Sequence, residues 1–117
     1  MNTDLKADFS RAFVEHWEIY EGVLSEHNGK RTPATRSRQE LARFGGNQIA
    51  YTEHHVRRNR AYSNSELARV LELLLLYDQL DGTSERLVQR FPSLFPPEVV
   101  DMADHTIKRL KAMAAKR

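Results

Sequence analysis

The chain has 117 residues, 40% apolar and 29% charged, with a net charge of +2 and no cysteine. This length fits one domain with a self-sufficient core, and the missing cysteines exclude disulfides, thiolate zinc sites and cysteine nucleophiles while favouring a reducing compartment. The densest apolar run, Leu73–Tyr77, falls far short of the roughly 20 residues of a bilayer-crossing helix. Asp4 and Asp8 stand where a signal peptide would be apolar, so the expected location is the cytoplasm, with no membrane contact.

Residues 4–27 read as one long helix. Leu5, Phe9, Phe13, Trp17, Tyr20 and Leu24 recur at three- and four-residue steps on one face. The opposite face is acidic, with Asp8, Glu15, Glu18, Glu21 and Glu26. Thr3 is the expected N-cap, and Asn28-Gly29 the stop. After a loop, Thr35 is expected to cap a helix over about 36–44, with Leu41 and Phe44 inward and Arg36 and Arg43 sharing a face. Gly45-Gly46 ends it, and Asn47 can cap the next stretch, 48–57, whose Ile49, Glu53 and Val56 follow helical spacing and favour a helix, although its Ile, Tyr and Thr also suit a short strand.

Ser63-Asn64-Ser65-Glu66 is a capping box. The helix it opens, about 64–80, is apolar on more than one face, through Leu67, Val70, Leu71, Leu73, Leu74, Leu75, Leu76 and Leu80. That composition predicts a central helix surrounded by the others, terminated by Asp81-Gly82. Thr83 caps a short helix over about 84–91 with Leu87, Val88 and Phe91 inward, and Leu94 and Phe95 anchor the loop after Pro92. Pro96-Pro97 opens a last helix with Val99, Ala103, Ile107, Leu110 and Met113 inside. The expected fold is therefore all-α, a single domain over 1–117 with five or six helices around the Leu-rich segment 64–80.

Charge is sharply segregated along this frame. Residues 30–60 carry eight Lys/Arg against two acids, a local charge of +6, whereas residues 1–29 sum to −4, residues 61–104 to −5 and residues 105–117 to +5. Such segregation gives a nearly neutral molecule a strong local field and suits an anionic partner. Guanidinium groups bind phosphate oxygens in bidentate fashion, so Arg36, Arg38, Arg43, Arg57, Arg58 and Arg60 are the candidate phosphate contacts. Gln39, Gln48 and Tyr51 are the candidates for base contact, by hydrogen bonding or stacking. The C-terminal run Lys108, Arg109 and Lys111 complements its helix dipole and can add a phosphate contact. Against this stands internal pairing of the arginines with the acidic face of the first helix.

The stretch Gln39-Glu40-Leu41-Ala42, followed by Gly46 and the segment 47–57, resembles a helix-turn-helix, with a small residue at the helix contact and glycine in the turn. It departs from that pattern at Gly45, Asn47 and Thr52, the last standing where a buried aliphatic residue usually anchors the second helix. The histidines have no metal-ligand spacing. His54 and His55 are adjacent and point about 100° apart on a helix, and His16, near the apolar stripe, reads as a hydrogen-bonded core histidine. No nucleophile stands with its base.

The expected function is that of a small non-enzymatic regulator binding nucleic acid through residues 30–60, without metal or cofactor. The alternative is a protein–protein or homodimeric module, with Leu94 and Phe95 as an exposed anchor.

Overall fold

The computed structural model describes residues 2–116, with side chains from residue 4 onward. The apolar stripe of the first helix, α1 (Asn2–Asn28), buries Phe9, Ala12 and Phe13. Its backbone is already helical at Thr3, whose expected cap lies outside the described side chains. Gly29, at φ 69°, reverses the chain after α1. Then come α2 (Thr35–Arg43) and α3 (Gln48–Ala61). Gly45 and Gly46 take φ of 64° and 78° in the turn between them, a conformation that suits glycine. The Asn47 side chain accepts from the Ala50 amide, as a cap should.

Thr35 is the first residue of α2 rather than its cap. The amide before it, on Ala34, instead donates to Glu21 Oε2 of α1 at 2.6 Å. No residue of α2 is fully buried; Leu41 and Phe44 pack partly against the core.

The Leu-rich segment departs from expectation. It forms two short helices, α4 (Asn64–Val70) and α5 (Glu72–Leu76), interrupted at Leu71. Consecutive leucines cannot all face one partner from a straight helix. The break turns Leu67 and Leu75 toward Ile107 and Leu110, while Leu74 packs on Gly82. Val70 and Leu76 remain exposed. The end of α5 also lies earlier than Asp81-Gly82: Tyr77 is its C-cap, and Asp78 follows at φ 54°. Gly82 serves close packing instead, since a Cβ there would meet Leu74 Cδ2 at 3.0 Å and Ile19 Cγ2 at 3.2 Å. The Ser63–Glu66 capping box forms as expected, through Ser63 N to Glu66 Oε1 (2.9 Å) and Glu66 N to Ser63 Oγ (3.2 Å).

The short helix α6 (Ser84–Arg90), capped by Thr83, is the one the others surround. Leu87 and Val88 are buried with α1's phenylalanines, Tyr51 and Val56 of α3, and Val99 and Ala103 of α7 (Pro97–Ala115). Phe91 and Phe95 close this cluster, with ring centroids 5.4 Å and 5.8 Å from Phe9. Phe95 is thus core and not an exposed anchor, and Leu94 packs partly against the same cluster. Burying a side chain of this size is worth about 1.5–3 kcal/mol. The length of α7 lets its first half join this cluster and its second half the smaller one under α4 and α5. The fold is all-α.

Candidate functional site

The arginines of the basic segment divide by partner. Arg38 is bound by Glu21 of α1, donating to both carboxylate oxygens at 3.0 Å, and its guanidinium lies 5.3 Å from the Trp17 ring. Partial burial works against the Glu21 carboxylate, but the Ala34 amide and Arg38 hold its pKa below the usual value. Arg38 therefore clips α2 to α1. Arg57 donates to Glu53 (3.0 Å) and to Glu98 (3.4 Å), pinning α3 to the start of α7. Arg58 donates to His55 Nδ1 at 2.7 Å and lies 3.5 Å from Glu40. Internal pairing thus claims these three arginines, only one of them through the acidic face of α1.

Arg36, Arg43 and Arg60 are exposed, with no ion-pair partner among the described residues. Gln39 is exposed too, whereas Gln48 is half-buried and accepts from Ser10 Oγ of α1. Tyr51 cannot stack on a base. It is 3% exposed, wedged between Phe13, Trp17, Phe44 and His55. Its position follows from helical spacing, since Tyr51, Thr52, Val56 and Asn59 form the inward stripe of α3. Thr52, the departure from the helix-turn-helix pattern, is fully buried with its hydroxyl donated to the Gln48 carbonyl.

The fold joins two basic segments that are far apart in sequence. Arg109 of α7 donates from Nη2 to the Tyr62 carbonyl (2.7 Å) and from Nε to Asn64 Oδ1 (2.8 Å). This clamp draws the C-terminal basic run to the end of α3, where Arg60 stands. The positive field there depresses the pKa of exposed His105, with Arg60 the main cause and Arg109 and Lys108 adding to it. We call this group, Arg60, His105, Lys108 and Arg109, the cationic corner.

Beneath α3 lies a cluster of polar groups, of which the sequence reading placed only His16 in the core. Glu85 of α6 is fully buried, and burial pushes its carboxyl pKa up to about 7 against the hydrogen bond donated by Asn59 Nδ2 (3.1 Å). His16 is pushed down to about 4, by burial first and then by His55, while a backbone hydrogen bond to Asp81 opposes. His55 is likewise lowered to about 4, by burial and by Arg58, with Glu40 opposing. Because Arg58 donates to His55 Nδ1, that nitrogen accepts and the ring is neutral. Nε2 lies 2.8 Å from Glu40 Oε2 without its N–H being aimed at the oxygen.

These groups surround a cavity of about 100 Å³ lined by His16, Trp17, Tyr51, His55, Arg58 and Asn59 among others. His54 and Glu53 do not line it. The polar members of the inward α3 stripe, Thr52 and Asn59, were the available signal, since polar residues at core spacing mark a partner or a site.

Among the described residues, no group of three or more His, Asp or Glu is placed to hold a metal, and no helix is long and apolar enough to cross a membrane. No known protein family, curated protein or solved structure matches the chain.

Proposed function

We propose that the protein is a small non-enzymatic regulator that binds nucleic acid by its phosphate backbone, with the cationic corner as the main contact. Arg60, Lys108 and Arg109 hold phosphate oxygens, and Arg36 and Arg43 on the exposed face of α2 add to the field. The observation that carries this reading is the Arg109 clamp on Tyr62 and Asn64, which brings the basic run of α7 to the end of α3 where exposed Arg60 stands, and the lowered pKa of exposed His105 agrees with it. Paired Arg38 and Arg57 and buried Tyr51 leave the interface, so the reading favours backbone contact over base recognition. A cytoplasmic location belongs to the same proposal and rests on the absence of cysteine. The interaction-module alternative loses its proposed anchor with the burial of Phe95.

Fluorescence anisotropy with a labelled single strand and a labelled duplex tests the proposal. Binding that weakens steeply as salt rises, and falls about tenfold in the Arg60→Ala/Lys108→Ala double variant, is the expected result. No binding at low salt would overturn it.

A further inference from the structure

The cavity under α3 combines three properties that cores avoid together. First, it holds unpaired polar atoms. Among the described residues, His16 and Asn59, 7% and 4% exposed, carry Nδ1 and Oδ1 with no hydrogen-bond partner, and Arg58 Nε, of the same lining, is buried and unpaired. Buried polar atoms left alone cost about 1–3 kcal/mol each, so native structures rarely gather several around one space unless something fills it.

Second, the unpaired atoms are of both kinds. The His16 ring makes its backbone bond to Asp81, stays neutral near pH 7 and leaves Nδ1 as an acceptor. Asn59 Oδ1 is a second acceptor, and Arg58 Nε–H is a donor. Third, the walls are aromatic. Trp17 and Tyr51 stand edge to face, 6.1 Å apart and 83° between planes.

The same observations define the occupant. Charge is balanced locally, because Arg58 faces Glu40 and a carboxyl at Glu85 lies behind Asn59. Arg58 is the charged residue of the lining and Glu40 already balances it, so an anion finds no free cation there and a cation would meet Arg58. A neutral ligand avoids both. The volume of about 100 Å³ is smaller than the ~150 Å³ cavity that accepts benzene, which suits a ligand of about five heavy atoms. Aromatic walls favour a planar molecule. The cavity reaches the surface beside exposed Val70. The interruption between α4 and α5 falls at Leu71, and Leu71 and exposed Val70 line the same cavity.

We infer that this cavity is a binding site for a small neutral planar ligand carrying adjacent hydrogen-bond donor and acceptor atoms, an azole or a primary amide. Its N–H is received by His16 Nδ1 or Asn59 Oδ1, and its acceptor atom by Arg58 Nε–H. The inference does not depend on the cationic corner.

The probe is pyrazole, five heavy atoms, neutral at pH 7, with donor and acceptor nitrogens side by side. Titrating it into ¹⁵N-labelled protein while following the histidine ring nitrogens reads the site directly. The expected result is a saturable shift of the His16 and His55 ring signals with a dissociation constant in the millimolar range or tighter. His16→Phe, which removes the acceptor, and Leu71→Trp, which obstructs the cavity, should each weaken binding by about tenfold. Ring signals that do not move up to the solubility of pyrazole would overturn the inference. So would benzene binding as tightly as pyrazole, because the polar atoms would then contribute nothing. Both of these outcomes are read on the unaltered protein and do not require either variant to fold.

Discussion

On the inner side of α3, Arg58 meets Glu40 and His55, and Asn59 donates to the buried Glu85 carboxyl. One residue further on, Arg60 points to solvent, where its neighbours from α7 are Lys108, Arg109 and a histidine held below its usual pKa. Residues of the same type, on the same helix, thus have different work. Inside, Arg58 has Glu40 as its counter-ion and the Glu85 carboxyl is pushed toward its neutral form, because burial makes an unpaired ion costly. Outside, water screens like charges well enough for cations to collect, and an unmatched surface field is what a polyanion can use. A count of arginines per segment does not separate these cases, but partners do.

The sharpest way to break the comparison is on the inner side. Asn59→Ala leaves the buried Glu85 carboxyl without its side-chain donor. It should cost roughly 2–4 kcal/mol in denaturant unfolding. A loss below about 1 kcal/mol would mean that Glu85 is solvated in the fold.

Glu85→Gln gives the next effect, and its sign depends on pH. A carboxyl whose pKa is raised to about 7 in the fold, from 4.5, stabilises most when protonated. That contribution is lost as pH rises from about 4.5 to 7. The variant should therefore be more stable than the unaltered protein at pH 8, by an amount on the order of 2 kcal/mol, and no more stable at pH 4.5. Thermal melts at the two pH values check this.

His16 works in the opposite direction. Its pKa is lowered to about 4 from 6.5, so the unfolded chain takes up a proton first as pH falls. Stability should then decline between about pH 6.5 and 4, and His16→Phe, where it folds, should flatten part of that slope. The smallest stability effect belongs outside. Arg60→Ala/Lys108→Ala should change stability by less than about 0.5 kcal/mol, as surface substitutions usually do.

The local parts of this architecture were legible. Asn47, Ser63 and Thr83 cap the helices that follow them because a cap depends on a few neighbouring atoms. The Phe9 and Phe13 stripe was readable for the same reason. Where composition was made to stand for position, the reading failed. The leucines of 64–80 suggested a central helix, yet central place went to α6, whose seven residues include fully buried Glu85. Tyr51 looked available because its segment is basic, although Val56 and Asn59 share its buried stripe. The corner was half legible: both basic runs stood out, but only the Arg109 clamp on Tyr62 and Asn64 unites them.

The central claim is that unpaired Arg60 contacts phosphate and paired Arg57 does not. The most direct test compares how oligonucleotide affinity depends on salt in three proteins: unaltered, Arg60→Ala and Arg57→Ala. The account predicts that the slope of log affinity against log salt falls by about 1 in Arg60→Ala and is unchanged in Arg57→Ala. Equal slopes in all three proteins, or a loss confined to Arg57→Ala, would contradict it.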